Sequence, residues 1–162
     1  MVLIKLLYFA DRQALLEHGM PITGDRMVSM PHGPVLSGVL DFITWGTRTW
    51  GNCDDSPWFK YISEPEGYEV HLLGALETDE LSRYELHVLE AIDEQYGRLN
   101  KWVLRDISHN LPEWEDPHGS SLPIEPAEIL RAADHPSSEI ERIAAEAEEL
   151  WLFRAIQRQA QS

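Results

Sequence analysis

Leu3-Ile4-Lys5-Leu6-Leu7-Tyr8-Phe9-Ala10-Asp11-Arg12 is the stretch on which the fold turns. Leu3, Leu6, Leu7, Ala10, Ala14 and Leu15 recur at three- and four-residue spacing, which predicts a helix over Val2–His18. Gly19 stands where a helix C-terminal stop belongs, with Pro21 just beyond. No capping residue precedes the pattern, which is already running at Met1. Either an upstream segment is missing or this end frays.

Downstream, Thr23-Gly24-Asp25 reads as a turn and Met27–Met30 as a short strand. Gly33-Pro34 reads as the start of a second helix, because proline's missing N–H costs nothing at a first helical position. Val35, Leu36, Val39, Leu40 and Ile43 are its expected buried stripe. Gly46–Pro57 is a loop by its Gly, Asn and Asp content. Trp58–Ser63 and Tyr68–Leu73 read as a β-hairpin around Glu64–Gly67.

From Thr78 onward the pattern is helical. Ser82 with Glu85 fits a capping box, and Leu86, Leu89, Ile92 and Tyr96 form a stripe ending at Gly97. Asn100 caps a short helix carrying Trp102, Val103, Leu104 and Ile107, and His109–Pro123 is irregular. Pro126 begins another short helix, with Ile124 stapling onto Ile129. Ser138 with Glu141 is a second capping box, and the final helix runs over about residues 138–157 with Ile140, Ile143, Ala147, Leu150 and Trp151 inward. That helix closes the core or mediates a homodimer. The reading is mainly α with a small β element (α+β): one helical domain over residues 1–162 with a short antiparallel hairpin or small sheet.

Charge is the one strong compositional deviation. Against 13 Lys and Arg stand 28 Asp and Glu, for a net −15 over 162 residues. Residues 1–80 hold 12 of the acids and 5 of the bases, residues 81–162 hold 16 and 8, so no acidic tail explains it. A field of this sign repels phosphate backbones and anionic lipid, arguing against direct nucleic-acid or membrane binding. It draws in a basic protein partner, and it also serves plain solubility. The single cysteine, Cys53, makes no internal disulfide and suits a reducing, cytoplasmic setting. No apolar run of 18 residues occurs.

Candidate reactive groups are thin. His109, Glu113, Asp116 and His118 place four ligand-capable side chains within ten residues, but at a spacing of no recognised metal site and on a proline-broken loop. A metal-dependent hydrolase built there is the rival reading from another class. The simpler account has His109 ending a helix, where an imidazolium suits the dipole, and Trp114 plugging the core. His87 reads as a solvated helix residue, and His32 as a neutral imidazole bonded to backbone beside Gly33. Ser29, Ser37 and Cys53 lie in no nucleophile elbow, and Asp54 and Asp55 dull Cys53. No Walker A or G-x-G-x-x-G sequence occurs. No cofactor or metal is expected. Of the six tryptophans, Trp50, in a glycine-flanked loop, is hardest to bury and is the candidate partner anchor.

The Leu3–Arg12 helix, then Gly19-Met20-Pro21-Ile22-Thr23-Gly24-Asp25, then His32-Gly33-Pro34-Val35, together resemble the Panacea domain family. That family's pattern is a KLLYFAD helix, a G-x-P-[LI]-T-[GN] turn and a GPV element. Leu81-Ser82 with Glu85, Tyr96-Gly97, and His109 with Pro112-Glu113-Trp114 resemble its later motifs in the family's order. The resemblance implies a largely helical fold with a small β element and no catalytic role. It implies an antitoxin of a bacterial or phage toxin–antitoxin pair that neutralises an adjacently encoded toxin by direct binding. The SocA-type alternative is an adaptor that delivers the toxin to a ClpXP-type protease. Family members usually carry a further helix ahead of the KLLYFAD helix, inside which this chain starts.

Carried over by position, Tyr8, Asp11, Arg12, Gly33, Pro34, His109 and Trp114 are the motif residues, with Gly19, Gly24, Ser82, Glu85 and Gly97 as structural punctuation. Their implied role is architectural. Asp11 and Arg12 are expected to bond across to the GPV turn or the His109 loop. With Tyr8, His32, Trp50, His109 and Trp114 they are the candidate partner-binding set, framing a shallow pocket near the toxin-contact surface.

Overall fold

In the computed structural model, which describes residues 1–45, 57–67, 69–75 and 80–146, helix α1 runs over Val2–His18. No side chain caps its start at Met1. Its end is set by Gly19, whose φ of 77° is left-handed and whose N–H reaches the Leu15 carbonyl at 2.8 Å. Gly19 is also a point of close approach. A Cβ there would lie 2.9 Å from Ile143 Cδ1, so the helix over 137–146, α7 below, packs against this end of α1.

After the turn come β1 (Met27–Ser29) and β2 (Val35–Leu36), followed at once by α2 (Ser37–Trp45) and, after residues outside the description, α3 (Pro57–Tyr61). The second half holds α4 (Arg83–Tyr96), α5 (Lys101–His109), β3 (Leu122–Pro123), α6 (Pro126–Ala132) and α7. Among the described residues the three strands form one antiparallel sheet in the order β2-β1-β3, with Met27 opposite Leu36 and Ser29 opposite Leu122. Pro123 can join because β3 is an edge strand, where a missing donor is tolerated.

Local signals fix the helix starts of the second half. Ser82 accepts from the Glu85 N–H at 3.2 Å while the Glu85 carboxylate takes the Ser82 N–H at 2.6 Å, completing the box at the head of α4. The Asn100 side chain accepts from both Trp102 and Val103 N–H at the head of α5. Each such cap is worth about 1 kcal/mol. Helix α1 then packs on α4, α5, α6 and β2. Tyr8, Phe9, Leu15, Leu36, Val88, Leu104, Ile129, Leu130 and Ile143 form the centre of the core, with Ile124 also buried in it.

Several expectations need correction. Val35–Leu36 is a strand, not the first turn of a helix, so Gly33-Pro34 leads into a sheet and α2 starts only at Ser37. Both residues are buried, as a short apolar pair can be in either conformation. Helix α2 itself has no fully buried residue. Residues Trp58–Tyr61, expected as strand, belong to α3, where Trp58 stacks on Phe42 of α2 and Phe59 meets it edge to face. The hairpin shrinks to two isolated bridges, Ile62 with Leu72 and Glu66 with Glu69, and Leu72 and Leu73 are exposed. Gly97 does end α4 as expected, with a right-handed φ of −61°. Helix α7 has already begun at 137, so Ser138 lies inside it and does not cap it. Trp50, Cys53, Ala147, Leu150, Trp151 and the rest of the expected C-terminal helix lie outside the described residues.

Candidate functional site: the polar seam of helix α1

Lys5, Tyr8, Asp11 and Arg12 are spaced three and four apart, so they share one side of α1. Lys5, Tyr8 and Asp11 are buried, and the four between them reach three distant segments, Tyr8 and Arg12 sharing one. Lys5 Nζ donates to the Pro34 carbonyl at 2.7 Å. Tyr8 Oη donates to Glu113 Oε1 at 2.9 Å. Arg12 meets the same carboxylate with two nitrogens, Nε to Oε1 at 2.6 Å and Nη2 to Oε2 at 3.2 Å. The Glu113 side chain is fully shielded from solvent. A buried carboxylate persists only when paired and bonded, and this one has both an ionic partner and a phenol.

Asp11 turns the other way along the seam. Its carboxylate accepts the Thr23 N–H at 2.9 Å and the Thr23 hydroxyl at 2.5 Å. Thr23 Oγ1 in turn accepts the Asp25 N–H, and Asp25 accepts Val39 N–H at 2.9 Å in the first turn of α2. Arg12 thus reaches the loop after His109 as expected, whereas Asp11 holds the Thr23 turn and not the Gly33-Pro34 turn.

Gly33 sits where these segments converge. Its φ is +90°, and a Cβ on it would strike Ser108 Oγ, approach Lys5 Nζ to 2.7 Å and His109 Cδ2 to 3.2 Å. Only glycine permits that conformation and that proximity together. Gly33 N–H closes a turn onto Met30 O at 2.9 Å, and Trp114 Nε1 donates to the same carbonyl at 3.1 Å. The Trp114 and His109 rings are stacked, with centroids 4.0 Å apart and planes within 8°. Trp114 is half-buried and clamps the Met30–Gly33 turn from outside; it does not plug the core. His109 is the last residue of α5, and its Nε2 is buried with no bonding partner.

Burial shifts the groups of the seam. It lowers the Lys5 ammonium to about 7. It raises the Tyr8 phenol, with Glu113 adding to the rise. It raises Asp11 against the opposing hydrogen bonds from Thr23. It lowers His109, with Lys5 and Arg105 acting in the same direction against Asp106 and the Pro31 backbone. The shift runs against the imidazolium expected at this helix end.

The structure brings together Tyr8, Asp11, Arg12, Gly33, Pro34, His109 and Trp114 around one segment-joining seam. His32 lies beside it, exposed, on the wall of a cleft. The proposed metal ligands part company. Glu113 is engaged by Tyr8 and Arg12, His109 is stacked on Trp114, and Asp116 and His118 point into solvent. Among the described residues no three His, Cys, Asp or Glu side chains converge on a point a metal could occupy. His87 is exposed. Ser29 is buried and accepts the Glu115 N–H, a structural use, and Ser37 Oγ is buried without a partner.

Lys5, Ser108 and Thr23 were not among the expected site residues. The signal for Lys5 was there: a lone cation in an apolar run, three residues before Tyr8 and seven before Arg12. The cleft it borders has a volume of about 620 Å³ and is walled by Ile4, Val35, Leu40 and Ile43 as well.

A mainly helical domain whose first helix is bolted to two distant turns by buried polar contacts is the class this arrangement defines. The chain belongs to the antitoxin SocA-like Panacea domain family, whose sequence model matches residues 3–115. That span takes in α1, both turns, α4, α5 and Trp114. No curated protein and no solved structure gave a match. No helix among the described residues is long and apolar enough to cross a membrane.

Proposed function

We propose that this protein is an antitoxin that neutralises a cognate toxin, encoded next to it, by direct protein–protein binding. The observation that carries the reading is the family match over residues 3–115. The placement of the motif residues supports it. Tyr8, Asp11, Arg12, Gly33 and Glu113 spend their polar groups on one another and on backbone, fixing a scaffold. A scaffold so fixed presents a pre-ordered surface, which lowers the entropic cost of capturing a partner. The net charge of −15 steers a basic toxin toward it. In this reading Trp45 and Trp102, 55% and 50% exposed, join the surface a partner can bury.

Co-expression with the neighbouring gene product tests the proposal. The expected result is growth arrest by that product alone, rescue by this chain, and co-purification of the two at unchanged toxin half-life. Rescue with a toxin half-life that falls only when a ClpXP-type protease is present would show an adaptor instead. A neighbour that is harmless alone removes the proposal.

A further inference from the structure

Lys5 is a buried amine with no ion-pair partner among the described residues. Its side chain is 1% exposed, and its one hydrogen bond goes to the Pro34 carbonyl. An ammonium has three donors, so two are left unspent. No carboxylate among the described residues forms an ion pair with it. Leaving an unpaired charge out of water costs several kcal/mol. The amine escapes that cost by losing its proton, whereas an anion brought to it from outside would hold the charged form.

The surroundings select the kind of anion. Lys5 forms part of the wall of the cleft at the N-terminal end of α1, and Ile4, Val35, Leu40 and Ile43 supply apolar wall beside it. At about 620 Å³ its size is that of a small-ligand site. Lys101 and His32 lie on the same cleft lining. Among the described residues the lining holds Lys5 and carries no Asp or Glu, in a chain of net charge −15. A phosphate dianion demands several donors and water, which an apolar wall does not supply. A monoanion with a hydrocarbon body matches both halves of the site.

We infer that the cleft between the start of α1, the Gly33-Pro34 turn and α2 binds a small carboxylic acid, its carboxylate on Lys5 and its apolar body against Ile4, Val35, Leu40 and Ile43. The inference does not depend on the toxin-binding reading, and its test needs no toxin. Occupancy would press on the Gly33-Pro34 turn, the point at which the polar seam is anchored.

The probe is sodium hexanoate, titrated into the isotope-labelled full chain and followed by NMR, with 1-hexanol as the uncharged control. The expected result is saturable shifts centred on residues 4–5, 33–35 and 40–43, with hexanoate at least about tenfold tighter than hexanol. The Lys5 Nζ titration moves upward when hexanoate is bound. In Lys5→Met the two probes bind equally. Equal binding of the two probes to the wild-type chain, or no saturable shift with hexanoate, overturns the inference. So does a concentration-dependent dimer in sedimentation that perturbs the same residues, because a second copy is then the occupant.

Discussion

Replacing Lys5 by methionine should stabilise this protein near neutral pH, and the gain should fade as the pH rises. Methionine keeps the unbranched shape, so the substitution removes a charge and one hydrogen bond with little change in packing. Burial brings the Lys5 ammonium from 10.5 down to about 7. Between those values the unfolded chain holds a proton that the folded chain has released. Folding stability therefore rises with pH across this window, about 1.4 kcal/mol per unit, and the burden is greatest at and below pH 7. Summed over the window, Lys5 withholds on the order of 5 kcal/mol at neutral pH. Losing the bond to Pro34 O gives back about 1 kcal/mol. The net expectation is a variant more stable by about 3–4 kcal/mol at pH 7 and roughly equal to wild type near pH 10. Urea unfolding of both proteins at pH 6, 7, 8 and 9 gives the comparison, since other titrating groups cancel in the difference. A difference that stays flat with pH, or a variant less stable at pH 7, refutes the placement of Lys5 as a buried, unpaired cation.

Two further substitutions probe the same seam. Gly33→Ala places a methyl group against Ser108 Oγ and Lys5 Nζ at a φ of +90°, and should cost about 2–4 kcal/mol in chemical denaturation; a loss under about 1 kcal/mol would mean the turn relaxes freely. Glu113→Ala leaves Arg12 and Tyr8 without their acceptor and should cost about 3–5 kcal/mol, while Arg12→Met with Glu113→Leu recovers most of it; failure of the double variant to recover would show that the carboxylate does more than answer those two groups.

The parts of the fold written in local chemistry were legible. Helix α1, its stop at Gly19, the Ser82–Glu85 box and the Asn100 cap each depend on residues within a turn of one another. The parts that depend on distant partners were not. Val35–Leu36 becomes strand because Met27–Val28 pairs with it, and Leu122–Pro123 joins because Val28–Ser29 offers its other edge. Nothing at those positions announces either event. Strands of two or three residues are too short for periodicity to separate them from a helical turn. Trp58–Tyr61 misleads because aromatic residues favour strands in general, while here they stack across onto Phe42.

The same division runs through the site. The family resemblance picked out Tyr8, Arg12, Gly33, His109 and Trp114, and these residues do lie together in the structure. Their partners were not readable, because Tyr8 and Glu113 are 105 residues apart. The apolar periodicity of α1 also hid its true inner face. Leu3, counted in the stripe, is 39% exposed, while Lys5 and Asp11, left out of it, are buried. Polar residues on an inward face are invisible to a hydrophobic count. They show only when each is asked what could satisfy it.

Asp25 takes the Val39 N–H while the residue bonded to its own N–H, Thr23, is gripped by Asp11. The angle at which α2 leaves the body is therefore set by a relay of directional bonds as well as by the packing of Val39 on the core. Trp45 lies six residues beyond Val39, about 9 Å along the axis, and acts as the tip of a pointer mounted on that relay. The position of that exposed indole is thus tied, through the length of the helix, to the geometry at Thr23.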